Sequence, residues 1–247
     1  MDKNERQGRS ESILLLFLIF LFCASFPFSL WIKDQVWLWL AQGLLRLAFV
    51  VGCPFLVRRF SLVKAEWHPW SWGTLLYLPL FALCGSNLFV LVYERSSFSL
   101  LIPGIQLLSQ AFFYLTVALS EELLFRAVIE GEFLKEKSPL WSILLSALIF
   151  AVSHLANFGS VAPLLVLAQV GYTFILGLLL GFLYQDSRNL GLVILYHFLF
   201  DFLNDALFGA YYSGDWNWRF FGINILIGFM VLLYGFLYFK IKAKKKI

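Results

Sequence analysis

The chain has 247 residues, of which 61% are hydrophobic and 14% are charged, and its mean hydropathy is +0.81. A water-soluble domain needs a largely polar surface, so this composition excludes one and predicts a polytopic protein embedded in a lipid bilayer. The formal net charge of +4 is distributed over short loops and the termini, which excludes a basic nucleic-acid-binding surface.

Eight apolar segments follow one another along the chain, and each is long enough to cross a bilayer as a helix. They cover residues 13–32, 36–57, 74–93, 104 onwards, 139–156, 163–184, 190–208 and 220–239. No Pro-, Gly- or Ser-rich linker interrupts them. We therefore expect one all-α bundle over residues 1–247, with about eight transmembrane helices.

The distribution of basic residues predicts the orientation of this bundle. With the amino terminus inside, 14 Lys and Arg residues fall on the inner side, in residues 1–12, the 58–73 loop, residues 134–138, the turn at 188 and the carboxyl-terminal tail. The outer side holds Lys33, Arg95 and Arg219. By the positive-inside rule we expect an integral multi-pass protein with both termini in the cytoplasm, in the inner or plasma membrane if the source is bacterial.

The fourth segment contains the sequence 120–126, SEELLFR, which places two carboxylates and a guanidinium among apolar residues. An ionisable group within a span costs about 2.5 to 3.5 kcal/mol by insertion scales and marks a functional site by default. Successive helical residues are about 100° apart, so Glu122 and Arg126 share one face and Glu121 points elsewhere. We interpret Glu122 and Arg126 as a neutralising, orienting pair and Glu121 as the free carboxylate. Arg46, in the second segment, is interpreted as snorkelling or as a structural pair.

Two more polar clusters lie in later segments. His154 ends the sequence 150–154, FAVSH, on the fifth segment, and the seventh carries His197, Asp201 and Asn204. On a regular helix these last three fall within a sector of about 60°. Counting residues from the predicted turn near 137 and 138 places Glu121 and His154 at one level, so we expect both to border a cavity together with His197.

Such a cavity predicts hydrolytic chemistry. A carboxylate can act there as a general base, while imidazoles orient water or stabilise an oxyanion, which suits hydrolysis of an amide. The same residues, Glu121, His154 and His197, could instead bind zinc. The sequence lacks an HExxH motif, so we expect no metal or other cofactor and keep zinc as the alternative.

The three motifs EExxxR, FxxxH and HxxxD, in this order on separate apolar segments over about residues 105–208, resemble the CPBP family. These are the CAAX protease and bacteriocin-processing (Abi) intramembrane proteases. The resemblance implies that Glu121 activates water with His154, while His197 and Asp201 bind the oxyanion or position the scissile peptide. It implies a membrane-anchored or lipid-modified protein or peptide as substrate. Three residues are assigned supporting roles: Glu122, Arg126 and Asn204.

Two other functions are compatible with these residues. Glu and His chains relay protons in transporters, but here the polar residues are expected at one level, and no paired Gly/Pro-interrupted half-helices are evident. The second alternative is a non-catalytic bacteriocin-immunity protein of the same fold. The complete set of motif residues favours the protease.

Overall fold

The computed structural model describes residues 3–60, 62–63, 65–69, 72–93, 101–158, 162–211 and 218–245. The regular secondary structure in these ranges is helical, which confirms the all-α prediction. The α-helices are α1 (Lys3–Ser25), α2 (Gln35–Arg59), α3 (Ser86–Tyr93), α4 (Gly104–Glu122), α5 (Gly131–Phe133), α6 (Pro139–Ser153), α7 (Pro163–Ser187), α8 (Leu190–Asp201), α9 (Phe208–Tyr211) and α10 (Trp218–Lys245). 3₁₀ segments cover Phe28–Leu30, Trp72–Gly85 and His154–Asn157, and π-helical segments cover Leu123–Glu130 and Phe202–Leu207.

Five helices in the described residues are long and apolar enough to cross a membrane. They are Gln7–Leu30, Gln35–Arg59, Pro139–Asn157, Val166–Ser187 and Leu190–Leu207. The predicted third and eighth spans coincide with shorter apolar helices, Thr74–Phe89 and Leu226–Tyr238. The protein is therefore an integral membrane protein by helix length and composition, and the total of about eight spans stays a prediction.

Helices α4 and α8, which carry the acidic motifs, each continue into a π-helical segment. Gly104–Glu122 continues through Leu123–Glu130 without leaving right-handed helical backbone, since the junction residue Leu123 has φ −61° and ψ −43°. Leu190–Asp201 continues into Phe202–Leu207 in the same way. Each π segment thus begins directly after a motif carboxylate. π-helical turns are rare and occur often at functional sites.

The predicted third span differs from a regular α-helix, because residues Trp72–Gly85 form a 3₁₀ helix with Pro79 inside it. Proline removes a backbone donor and leaves carbonyl groups without their helical partner, which is costly in a membrane unless a side chain replaces it. The carbonyl of Leu76, three residues before Pro79, accepts instead from the Tyr234 hydroxyl over 2.6 Å. Two later carbonyls of the segment also accept from neighbouring helices, Leu80 from Tyr196 over 3.0 Å and Leu83 from Asn204 over 2.8 Å.

The segments that were predicted to lie on the inner side meet on one face of the bundle. Glu132 of α5 lies 3.6 Å from Nη1 of Arg9 and accepts a 2.6 Å hydrogen bond from the Val63 amide. The same 62–69 stretch binds the α7–α8 turn, where the His68 amide donates to the Arg188 carbonyl over 3.1 Å.

The carboxyl-terminal helix reaches this face as well. The Tyr238 hydroxyl of α10 lies 3.4 Å from Oδ2 of Asp186, near the end of α7, and that oxygen also accepts from Tyr77 over 2.6 Å. Residues within or next to the five predicted inner segments therefore lie on one side. Its assignment to the cytoplasm stays a prediction from the basic residues.

Candidate active site

Helices α4 and α8 bring three carboxylates to one imidazole. Nδ1 of His197 lies 2.7 Å from Oε1 of Glu122, and Nε2 lies 3.4 Å from Oδ2 of Asp201 and 3.8 Å from Oε2 of Glu121. An ionised carboxylate only accepts hydrogen bonds, so Nδ1 carries the hydrogen in the bond to Glu122. That bond fixes the ring with Nε2 directed towards Glu121 and Asp201. His197 is 3% exposed, so this arrangement lies inside the bundle.

The Glu122 carboxylate is neutralised by Arg126, four residues further on. Nε of Arg126 donates to Oε2 of Glu122 over 3.0 Å, and both side chains are fully buried. The guanidinium also donates to the Ser146 hydroxyl over 3.1 Å and lies 5.2 Å from the centre of the Phe150 ring. The Ser146 hydroxyl donates in turn to the Phe125 carbonyl over 2.7 Å. This ion pair therefore ties α4 to α6.

His154 lies in the 3₁₀ turn that follows α6, where it is half-buried. Its Nδ1 lies 2.9 Å from the Phe150 carbonyl oxygen, which only accepts, so Nδ1 carries the hydrogen and Nε2 keeps a free lone pair. The Phe150 ring contacts both imidazoles nearly edge-on, at 5.0 Å from His154 and 5.9 Å from His197. A shared aromatic partner thus places His154 beside the site built by α4 and α8.

Asn204 differs from its predicted place in the sector of His197 and Asp201. Its Oδ1 accepts from the Ser86 hydroxyl and the Asn87 amide over 3.2 and 3.1 Å, and its Nδ2 donates to the Leu83 carbonyl. The expectation depended on 100° per residue, and the π-helical segment that begins at Phe202 breaks this spacing. Asn204 therefore connects α8 to the 3₁₀ segment.

Sequence reasoning treated Glu121 as a free carboxylate, but the structure places Arg46 of α2 against it. Nη1 of Arg46 lies 3.6 Å from Oε1 of Glu121 and 3.4 Å from the Ser120 hydroxyl. Arg46 is 8% exposed, so it does not snorkel to a membrane surface. The available signal was its position near the middle of an apolar segment, where an unpaired cation is costly.

The arrangement of the donor atoms bears on the zinc alternative. Within the described ranges, no group of three or more His, Cys, Asp and Glu side chains is arranged to hold a metal ion. His154 and His197 donate through Nδ1 to Phe150 and Glu122, which leaves Nε2 of both rings available as a ligand. Metal dependence is therefore a matter for experiment.

The comparison with known families agrees with this site. Residues 103–203 match the family model described as type II CAAX prenyl endopeptidase Rce1-like. The matched segment runs from the start of α4 to just beyond α8 and contains Glu121, His154, His197 and Asp201. No curated protein and no solved structure matches the chain. The match confirms the resemblance to the CPBP family: the segment that builds the site is similar to the Rce1-like CAAX prenyl endopeptidases.

Proposed function

We propose that this protein is an intramembrane endopeptidase that hydrolyses a peptide bond at or within the membrane. The observation that carries the proposal is the position of His197, which binds Glu122 through one ring nitrogen and faces Glu121 and Asp201 with the other. Ionisable groups are expensive inside a membrane and mark functional sites there. One histidine with three carboxylates around it, and His154 on the other contact of the shared Phe150 ring, can supply a base, a donor and the groups that orient them.

Glu121 is the general base in this proposal. A water molecule held between the Glu121 carboxylate and the free Nε2 of His154 transfers a proton to Glu121, while its oxygen attacks the scissile carbonyl carbon. His154 suits the orienting role because the Phe150 carbonyl fixes its hydrogen on Nδ1. General-base assistance of this kind contributes about 10²- to 10⁴-fold to a rate.

His197 acts in its doubly protonated form: Nδ1–H stays bonded to Glu122, the hydrogen on Nε2 stabilises the oxyanion of the tetrahedral intermediate, and Asp201 holds that edge of the ring. When the C–N bond breaks, Glu121 returns the proton to the departing amine, so the base ends in its starting form. A donor fixed in advance needs no rearrangement as charge develops. The buried bonds of Glu122 to His197 and Arg126 supply this rigidity.

The family description indicates the substrate. CAAX prenyl endopeptidases act on prenylated, membrane-anchored proteins, so a lipid-modified protein or peptide with its scissile bond near the bilayer is the proposed substrate. The metal-free, glutamate-dependent mechanism is proposed over the zinc mechanism.

The test uses the purified full-length chain in detergent or liposomes with a prenylated carboxyl-terminal peptide whose cleavage is followed by mass spectrometry. Glu121→Gln removes the base at nearly constant volume, so it should abolish cleavage while the protein stays folded and inserted. Glu136→Gln, an exposed site on the inner face, is the matched control and should cleave like the wild type. Cleavage retained by Glu121→Gln would exclude the glutamate mechanism. A wild-type protein that cleaves no lipid-modified peptide would favour the transporter or immunity alternative.

A further inference from the structure

Arg46 reaches the candidate active site from α2, outside the segment that matches the family model. It lies 11 residues after the start of Gln35–Arg59 and 13 before its end, or about 17 and 20 Å along the axis. These distances are too long for the guanidinium of Arg46 to reach either membrane surface. A cation at this depth needs a partner inside the bundle.

A close approach of α2 and α4 supplies that partner. Gly43 lies one turn before Arg46, and a Cβ atom at this position would fall 2.6 Å from Cε1 of Phe112 and 3.3 Å from Oγ1 of Thr116. A side chain at position 43 would require the Phe112 ring to move. The approach aligns Arg46 with the Ser120–Glu121 step of α4, and the Phe113 ring packs 5.6 Å from its guanidinium carbon.

The two oxygens of the Glu121 carboxylate face different helices. Oε1 lies 3.6 Å from Nη1 of Arg46 on α2, and Oε2 lies 3.8 Å from Nε2 of His197 on α8. Both separations are longer than the donor–acceptor distance of a hydrogen bond, which is at most about 3.2 Å. The guanidinium thus supplies positive charge next to Glu121 without occupying the lone pairs that would receive a proton from water.

We propose that Arg46 is a positioning residue that fixes the direction of the Glu121 carboxylate in the site. The inference rests on the proposed function, because it assigns to Glu121 the role of general base. The charged and titratable groups facing the pair are His197 and Asp201 from α8 and Cys23 from α1. The adjacent Glu122 has its own cation, Arg126.

The test compares kcat and KM, per folded chain, for cleavage of the prenylated peptide by the full-length protein. Arg46→Gln removes the guanidinium beside Oε1 of Glu121, so kcat should fall by up to about 10²-fold, as small misplacements of a catalytic group do, while KM stays near the wild-type value. Arg46→Lys keeps a cation at this place and should recover most of kcat. Arg9→Gln is the matched control, because Arg9 lies at the same 3.6 Å from Glu132 and away from the site; its kcat should not change.

A stability measurement separates this inference from the proposed function. Glu121→Gln alone strands Arg46, and Arg46→Gln alone strands Glu121, so each should lower the Tm, while the double variant should recover part of the loss. This coupling does not depend on any reaction. The inference is overturned if Arg46→Gln folds and keeps the wild-type kcat, or if Arg46→Lys loses as much activity per folded chain as Arg46→Gln. Cleavage by Glu121→Gln would instead overturn the proposed function.

Discussion

Nδ1 of His197 lies 2.7 Å from Oε1 of Glu122, although the two residues are 75 positions apart in the chain. The second oxygen of the same carboxylate accepts from Nε of Arg126 over 3.0 Å. The fully buried Glu122 carboxylate therefore links the guanidinium of Arg126 to the imidazole of His197 on α8. The packing of the bundle and the orientation of the proposed oxyanion donor depend on the same group.

Arg126→Ala should reduce stability more than any other single change at this site. It leaves Glu122 as a buried carboxylate that keeps only the bond to His197, and removing one partner of a buried pair costs about 3 to 5 kcal/mol. It also removes the donor to Ser146 on α6. Thermal unfolding and folded yield in detergent measure the effect. We expect a lower Tm, a lower yield and, through Glu122, a displaced His197.

Arg9→Ala is the control for that experiment. Arg9 pairs with Glu132 over 3.6 Å at the predicted inner face of the bundle, where it is partly exposed, so its removal should cost no more than about 1 kcal/mol. A Tm for Arg126→Ala equal to that of Arg9→Ala would show that the Glu122–Arg126 pair does not support the fold.

His154→Ala should remove activity without removing stability. The residue is half-buried in a 3₁₀ turn, and its hydrogen bond is to a backbone carbonyl, so its loss leaves no buried charge. Loss of the imidazole that orients the water should lower kcat by about 10²- to 10⁴-fold. His68→Ala is a matched control, since Nδ1 of His68 makes a similar 2.8 Å contact with the Arg188 carbonyl at the inner face. Equal cleavage rates for the two variants would contradict the role given to His154.

Local spacing predicted the parts of this site that lie on one helix. The i, i+4 relation placed Arg126 beside Glu122, and the distance between them is 3.0 Å. The prediction that His197 and Asp201 lie near Glu121 came from the order of the motifs and from the family resemblance. Arg46 could not be assigned in this way, because its contact with Glu121 depends on the distance between α2 and α4, which Gly43 sets. A hydropathy pattern contains no information on that distance.

Two departures have a local cause that the periodicity argument did not include. The segment predicted as a third regular span is a 3₁₀ helix around Pro79, with carbonyl groups that accept from side chains of other helices. Asn204 lies outside the predicted sector of the helix because a π-helical segment follows Asp201. Both irregularities change the angle per residue, on which every prediction of a shared face depends.

Asn204→Ala should therefore act on stability and not on the chemical step. Its amide makes hydrogen bonds with Leu83, Ser86 and Asn87 at the end of the 3₁₀ segment, and leaving such buried groups unpaired costs about 1 to 3 kcal/mol. We expect a lower Tm with activity that follows the folded fraction. Asn157→Ala, which breaks a single bond to Gln169, is the control and should lower the Tm less. A stable Asn204→Ala variant with a large loss of kcat would show that Asn204 acts in the reaction.

Metal removal separates the two mechanisms that the sequence left open. If Glu121, His154 and His197 activate water directly, protein stripped with a strong chelator, and shown by elemental analysis to hold well under one metal per chain, should keep its activity. If they ligate zinc, activity should follow bound metal and return on titration, because the nucleophile would be a metal-bound hydroxide formed from water with a pKa of about 7. The bonds of both histidines through Nδ1 leave Nε2 free and are compatible with either outcome. Stoichiometric zinc that is lost in His154→Ala and His197→Ala, together with activity that chelation removes and zinc restores, would overturn the metal-free mechanism and leave the assignment as a peptidase unchanged.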